Sequence, residues 1–263
     1  MPYETVLYRV DGGVATLTLN RPEKLNALND ALAEEIQAAV READADDGVR
    51  VIVLIGAGKG FCSGLDLTGP RGNGREPSRK ERLDDFGWVG RAPLLLTQID
   101  KPVIAALNGP AAGAGLSLAL AADIRLIAAG TRLTTGYIRR GLSPDGGMTF
   151  LLPRMIGAAR AAELILTSRW IDAEECERIG LVARVLPVEG FAEAVASYAA
   201  ELAAGPPISM TYAKRLLVQS MTADLPTILR DELTNIRRCF QSEDVQEGIR
   251  AFAEKRTAVF SGR

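Results

Sequence analysis

The sequence predicts an α/β fold in which a mixed core, residues 1–189, is followed by a helical tail, residues 190–263. Three observations carry this. In the first half, short apolar runs rich in β-branched residues alternate with segments of helical period. From Ser143 onward strand signals become scarce, apart from residues 181–186, and helical patterns take over. No low-complexity tract or flexible linker separates the two parts, so the tail is expected to pack on the core or on another subunit.

Residues 3–10 and 14–19 read as strands joined at the hairpin-like Asp11-Gly12-Gly13. Residues 29–46 read as a helix with Leu32, Ile36, Ala39 and Val40 on one face. The runs 51–55 and 103–107 read as buried strands. Between them, residues 69–80 carry glycine, proline and arginine and read as a mobile loop, and 81–98 read as a helix. A helix from about Ala114 leads to a strand at 124–128. Helices are expected at 147–156, 158–167, 173–179, 190–204, 207–220, 225–240 and 244–256, with Pro206-Pro207 breaking the tail.

Composition narrows the chemistry. The chain has 263 residues, 47% hydrophobic and 24% charged, enough for a large core without staples. Its three cysteines, Cys62, Cys176 and Cys239, are scattered and odd in number, which suits a reducing compartment. There is no histidine, so a Ser-His-Asp triad, a Cys-His pair and every histidine-containing metal site are excluded. No C-x-x-C pair offers a thiolate zinc site, so no metal is expected. Acid–base work falls to Asp, Glu, Tyr, Lys or Cys. The net charge of −2 gives no support for nucleic acid as partner. The first residues lack a basic stretch followed by an apolar run, and no uncharged stretch spans a bilayer. A cytoplasmic protein with no membrane contact is expected.

The segment 108–126 runs from a strand through a glycine-rich turn straight into a helix. Gly109, Gly113 and Gly115 let the backbone lie close to a bound group, and the helix start offers it free N–H groups. Such a construction stabilises an anion or a developing oxyanion. Gly56-Ala57-Gly58-Lys59-Gly60-Phe61 also follows a strand, but Phe61 stands where a dinucleotide fingerprint needs glycine, and Gly60 where a P-loop needs Ser or Thr. It reads as a tight turn.

Several segments, in order, resemble one family: Asn20-Arg21-Pro22-Glu23-Lys24-Leu25-Asn26-Ala27-Leu28; Gly60-Phe61-Cys62-Ser63-Gly64-Leu65-Asp66-Leu67; the block 108–123; residues 141–147; Leu152-Pro153-Arg154; Ile179-Gly180-Leu181-Val182; and Glu247-Gly248-Ile249-Arg250-Ala251-Phe252. Over nearly the whole chain this is similar to the enoyl-CoA hydratase/isomerase (crotonase) superfamily. The resemblance implies a crotonase-like spiral of β-β-α turns with a helical trimerisation tail, assembled as a homotrimer or homohexamer. It implies an acyl-CoA thioester as substrate and no separate cofactor, since coenzyme A is part of the thioester. By motif position, the Leu65 and Ala114 N–H groups form the oxyanion hole. Lys24, Leu25, Asp66, Leu67 and Thr68 contact CoA. Lys255 and Phe260 close over the adenosine phosphate, a role open to a neighbouring subunit's copy. Lys24 and Lys255 each have an alternative reading as solvated surface lysines.

A typical hydratase of the family uses two glutamates to orient and deprotonate water. Here Ser117 and Tyr137 stand at those positions, and neither is an ordinary base at neutral pH. Asp145, in Leu142-Ser143-Pro144-Asp145-Gly146-Gly147, stands where some family isomerases carry an acid, most closely the phenylacetate-type isomerase. One carboxylate suffices to move a proton between two carbons. The expectation is enoyl-CoA isomerisation with Asp145 as acid–base; a hydratase-like enzyme with atypical acids and a non-catalytic acyl-CoA binder are the alternatives. Asp145 is also readable as a helix N-cap. Ser117 is open to a substrate hydrogen bond or to packing. Tyr137 is open to lining the acyl pocket, donating a hydrogen bond or filling space. Trp88 flanks the acyl pocket as a packing residue, Asp84 and Asp85 read as a solvated face, and Cys62 as a small buried residue.

Overall fold

The computed structural model describes residues 3–68, 76 and 78–263. The elements in chain order are β1 (Val6–Asp11), β2 (Val14–Leu19), α1 (Asp30–Ala45), β3 (Val51–Gly56), α2 (Arg79–Arg82), α3 (Gly87–Gln98), β4 (Val103–Leu107), β5 (Ala111–Ala112), α4 (Ala114–Leu120), β6 (Ile124–Ala128) and β7 (Arg132–Thr134). There follow α5 (Met148–Ile156), α6 (Ala158–Thr167), β8 (Ile171–Asp172), α7 (Ala173–Arg178), β9 (Arg184–Leu186), α8 (Phe191–Ala203), α9 (Pro207–Gln219), α10 (Leu225–Cys239) and α11 (Glu243–Glu254).

A larger sheet has the order β1-β2-β3-β4-β6-β9, parallel except for the β1–β2 hairpin. A small sheet, β5-β7-β8, is built from the residues following β4 and from the 171–172 turn. The central strands are buried on both faces, which is why they read as unbroken apolar runs. Period-two alternation divides them between two cores. Ile52, Leu54, Ala105 and Leu107 face the main core, which includes Leu32 and Ile36 of α1 and Leu116 and Leu120 of α4. Val51, Val53, Ile104 and Ala106 face the opposite side, where α8 lays down Phe191, Val195, Ala199 and Ala203.

Local signals set the helix ends. The Asn29 side chain accepts from Leu32 N to cap α1, and Asp172, Asp224 and Ser242 cap α7, α10 and α11 in the same way. The 81–98 helix starts later than expected, at Gly87 with φ +59, after a turn in which Asp84 accepts from Phe86 N. Asp84 is therefore not part of a solvated face; it pairs with Arg91 at 2.5 Å. Of the segment read as a mobile loop, residues 69–75 and 77 lie outside the described residues.

The tail is tied to the core by a buried cation. Lys214 of α9 is 4% exposed, and its ammonium donates to the Leu96 and Lys101 carbonyls and pairs with Asp123 at 2.8 Å. Burial lowers its pKa, while Asp123 opposes that shift. Among the described residues no helix is long and apolar enough to cross a membrane.

Candidate active site

The residues 20–28 form a scaffold for the loop that follows β3. Pro22–Lys24 make a 3-10 turn, and Leu25 and Asn26 then take left-handed conformations, with φ +49 and +56. This reversal points the Leu25 carbonyl at Ser63 N and stacks Leu28 against the chain at 64–66, where Leu28 N donates to Gly64 O and Asp66 N to Leu28 O. The buried Asn26 side chain donates to the Ala57 and Gly60 carbonyls. On the other side, Ala112 N donates to Cys62 O, joining this loop to the turn before α4.

Two backbone amides emerge from these joined loops. Among the described residues nothing accepts a hydrogen bond from Leu65 N or Ala114 N. Gly113, at the start of α4, has φ +53 and ψ −127, a conformation that L-residues avoid. Gly64, with φ +93, lies so close to the other loop that a methyl group there would stand 2.7 Å from Ala112 O and 3.6 Å from Ala114 N. Free backbone donors on two loops held this closely together are the kind of group that stabilises a developing oxyanion.

Beside them lies a groove of about 240 Å³, lined by Lys24, Leu65, Asp66, Leu67, Thr68, Gly113 and Tyr137 among others. Lys24 Nζ donates to Thr68 Oγ1. The Asp66 carboxylate is already committed: it accepts from Thr68 N and Oγ1 and pairs with Arg21 at 2.9 Å. These bonds, those from Thr68 foremost, hold its pKa well below the usual carboxylate range. Asp66 thus braces the loop, with Arg21 as a partner not singled out in the sequence. Leu25 does not line the groove; Arg140 and Leu142 do, and neither was singled out. The run Arg139-Arg140 just after Tyr137 was the available signal for a cationic wall.

Trp88 and Ala114 line a separate, small apolar cavity with Val89, Ala92 and Leu118. Lys255 and Phe260 are not brought to the groove within one chain. Lys255 is the left-handed cap of α11, and Phe260 lines a cavity with Gly248 and Phe252 while its carbonyl accepts from Arg50. Cys62 is fully buried, and burial pushes its thiol up to about 12, so it is no nucleophile.

Ser117, Tyr137 and Asp145 meet in one cluster. Tyr137 Oη donates to Asp145 Oδ1 at 2.6 Å, Ser117 Oγ lies 3.2 Å from Tyr137 Oη, and Ser117 Oγ donates to the Asp145 carbonyl at 3.0 Å. Burial first, and then the neighbouring carboxylate, raise the Tyr137 pKa well above its ordinary value, so the phenol keeps its proton. Tyr137 is not mere filler. The Asp145 side chain is not a helix cap either: α5 starts after Gly147 with no side-chain cap, and only the Asp145 carbonyl accepts from Met148 N. Among the described residues no cluster of three or more Cys, Asp or Glu forms a metal site.

The family profile described as enoyl-CoA hydratase/isomerase matches residues 9–263. The chain belongs to this family. The "Probable enoyl-CoA hydratase" of Rhodobacter capsulatus is 39% identical, with 100% of both chains covered. The 1,2-epoxyphenylacetyl-CoA isomerase of Escherichia coli is 38% identical, with 99% of both chains covered. The crystal structure of an enoyl-CoA hydratase from Bacillus anthracis superposes with a TM-score of 0.90 at 34% identity, covering 99% of this chain and 100% of that one. In this enoyl-CoA hydratase/isomerase family member, the crotonase fold carries its two free amides beside a cluster holding a single carboxylate, Asp145.

Proposed function

We propose that the protein is an acyl-CoA isomerase that moves a proton, and with it a double bond, along the acyl group. The observation that carries this reading is the Asp145 carboxylate. It reaches the cluster of Ser117 and Tyr137 with one oxygen bonded and the other without a partner among the described residues. In this reading CoA lies along the groove by Lys24, Leu67 and Thr68, and the thioester oxygen sits between Leu65 N–H and Ala114 N–H. Asp145 takes a proton from the carbon next to the thioester carbonyl. The electron pair moves onto the carbonyl oxygen, where the two amides stabilise it. The dienolate then takes the proton back from Asp145 two carbons further on, and the carbonyl re-forms. The relative named as an isomerase supports placing ring-unsaturated acyl-CoAs among the substrates to be tried.

Hydration needs groups that both deprotonate water and protonate carbon. Ser117 donates to a carbonyl, and the Tyr137 proton is committed to Asp145, which favours isomerisation over water addition. The test is Asp145→Asn with 3-enoyl-CoA and ring-unsaturated acyl-CoA substrates. Isomerisation is expected to fall by at least about a hundredfold, the usual range for a lost acid–base group. Undiminished turnover overturns the assignment, and wild-type hydration of 2-enoyl-CoA faster than any isomerisation overturns the reaction type. Tight acyl-CoA binding without turnover of any thioester points to the binder instead.

We also infer a homotrimer or homohexamer. Leu225, Leu229, Leu233, Ile236 and Phe240 recur at helical spacing along α10 and are all at least half exposed in the single chain. Light scattering that returns a monomer overturns this.

A further inference from the structure

Asp145 is exposed at the edge of the cluster, on the short connection before α5. Such a carboxylate is ordinarily free to rotate. Here its backbone and its side chain are each held by a different element. Ser117, on α4 and 1% exposed, holds the Asp145 carbonyl at 3.0 Å. The Tyr137 ring, 6% exposed, holds Oδ1 at 2.6 Å. The fit is close: a methyl group on Gly146 would stand 2.8 Å from Ser117 Cβ and 3.5 Å from Val89 of α3.

We propose that Tyr137, backed by Ser117, is the positioning residue for Asp145, tying up Oδ1 so that Oδ2 alone carries the proton between the two carbons. This rests on the isomerase reading above. The proton inventory fits. The single Tyr137 hydroxyl proton is committed to Asp145, so in the 3.2 Å contact Ser117 is the donor, shared between the Tyr137 oxygen and the Asp145 carbonyl. A carboxylate held by one oxygen keeps the other fixed in direction, and one oxygen serving both carbons keeps the transfer on one face of the dienolate. The groups around the pair are few. The 137–141 turn presents Arg140, whose guanidinium donates to Gly136 O; α4 presents Ser117, and α3 presents the uncharged Val89.

Tyr137→Phe tests this, because it keeps the ring in the core and removes only the hydroxyl. A hydrogen bond to a charged group matters enough that kcat is expected to fall about tenfold to a hundredfold, with KM little changed. Ser117→Ala is expected to act in the same direction with a smaller loss. A Tyr137→Phe enzyme with wild-type kcat, or one whose loss falls on KM instead, overturns the inference, even if its melting temperature drops. If Asp145→Asn still turns over, the isomerase reading itself fails. If that variant is dead while Tyr137→Phe is unaffected, only the positioning role fails.

Discussion

Asn26 and Asn108 hold the same turn, residues 56–60. Asn26 Nδ2 donates to the Ala57 and Gly60 carbonyls, and Asn108 Nδ2 to those of Gly56 and Gly58, while Asn108 Oδ1 accepts from Gly56 N. The turn they hold leads directly into the loop bearing Leu65, so two polar side chains far apart in sequence help set the position of the free Leu65 N–H.

Replacing Asn108 with Ala leaves those backbone groups without partners. The expected cost is about 1–3 kcal/mol, read from the denaturant midpoint. Because Asn26 and Asn108 share a turn, the double alanine variant is expected to lose less than the sum of the two single losses. Simple additivity would show that they act independently.

Gly64→Ala places a methyl group 2.7 Å from the Ala112 carbonyl at a residue with φ +93. The loop must shift, and Leu65 N–H moves relative to Ala114 N–H. Loss of one oxyanion donor is expected to lower kcat by about 10²–10³. A Gly64→Ala enzyme with full kcat would mean that the loop is more compliant than these contacts allow.

Acid stability is expected to run through Glu35. Its carboxylate accepts from the Glu4, Thr5 and Val6 amides and from Thr5 Oγ1, fastening the start of β1 to α1. Burial pushes its pKa up, but the hydrogen bonds outweigh it and the net shift is downward. A carboxyl whose folded pKa lies below the unfolded value of about 4.3 gives its stability above that value and loses it as the pH falls through the folded pKa. Glu35→Gln is expected to cost about 1–2 kcal/mol at neutral pH, with the difference from wild type shrinking in acid. A difference that stays constant down to pH 2 contradicts this.

The legible parts of the chain were those whose signal is local. The strand at 103–107 follows from a continuous apolar run buried on both faces, that at 14–19 from a hairpin-like signal, and both, with the strand read at 124–128, occur at those bounds. β5, β7 and β8 are two or three residues long, too short for any periodicity, and only their mutual pairing defines them. Leu65 and Ala114 were named by motif position alone; that their N–H groups have no acceptor among the described residues needed the structure. The bond from Tyr137 to Asp145 was not legible, because it joins two loops whose closeness depends on how α4 and α5 pack. The place of Asp66 in a motif gave its position in the groove, but not that Arg21 and Thr68 hold its carboxylate.

The ammonium of Lys214 has one more consequence, for the order of events in synthesis. Its acceptors, the carbonyls of Leu96 and Lys101 and the carboxylate of Asp123, precede the donor by 118, 113 and 91 residues. A nascent chain halted before α9 therefore holds a cluster of oxygen acceptors with no lysine to fill it, beside the starts of β4 and β6. A helix in the last third of the polypeptide thus supplies the charge that a cluster in its middle third is shaped to receive.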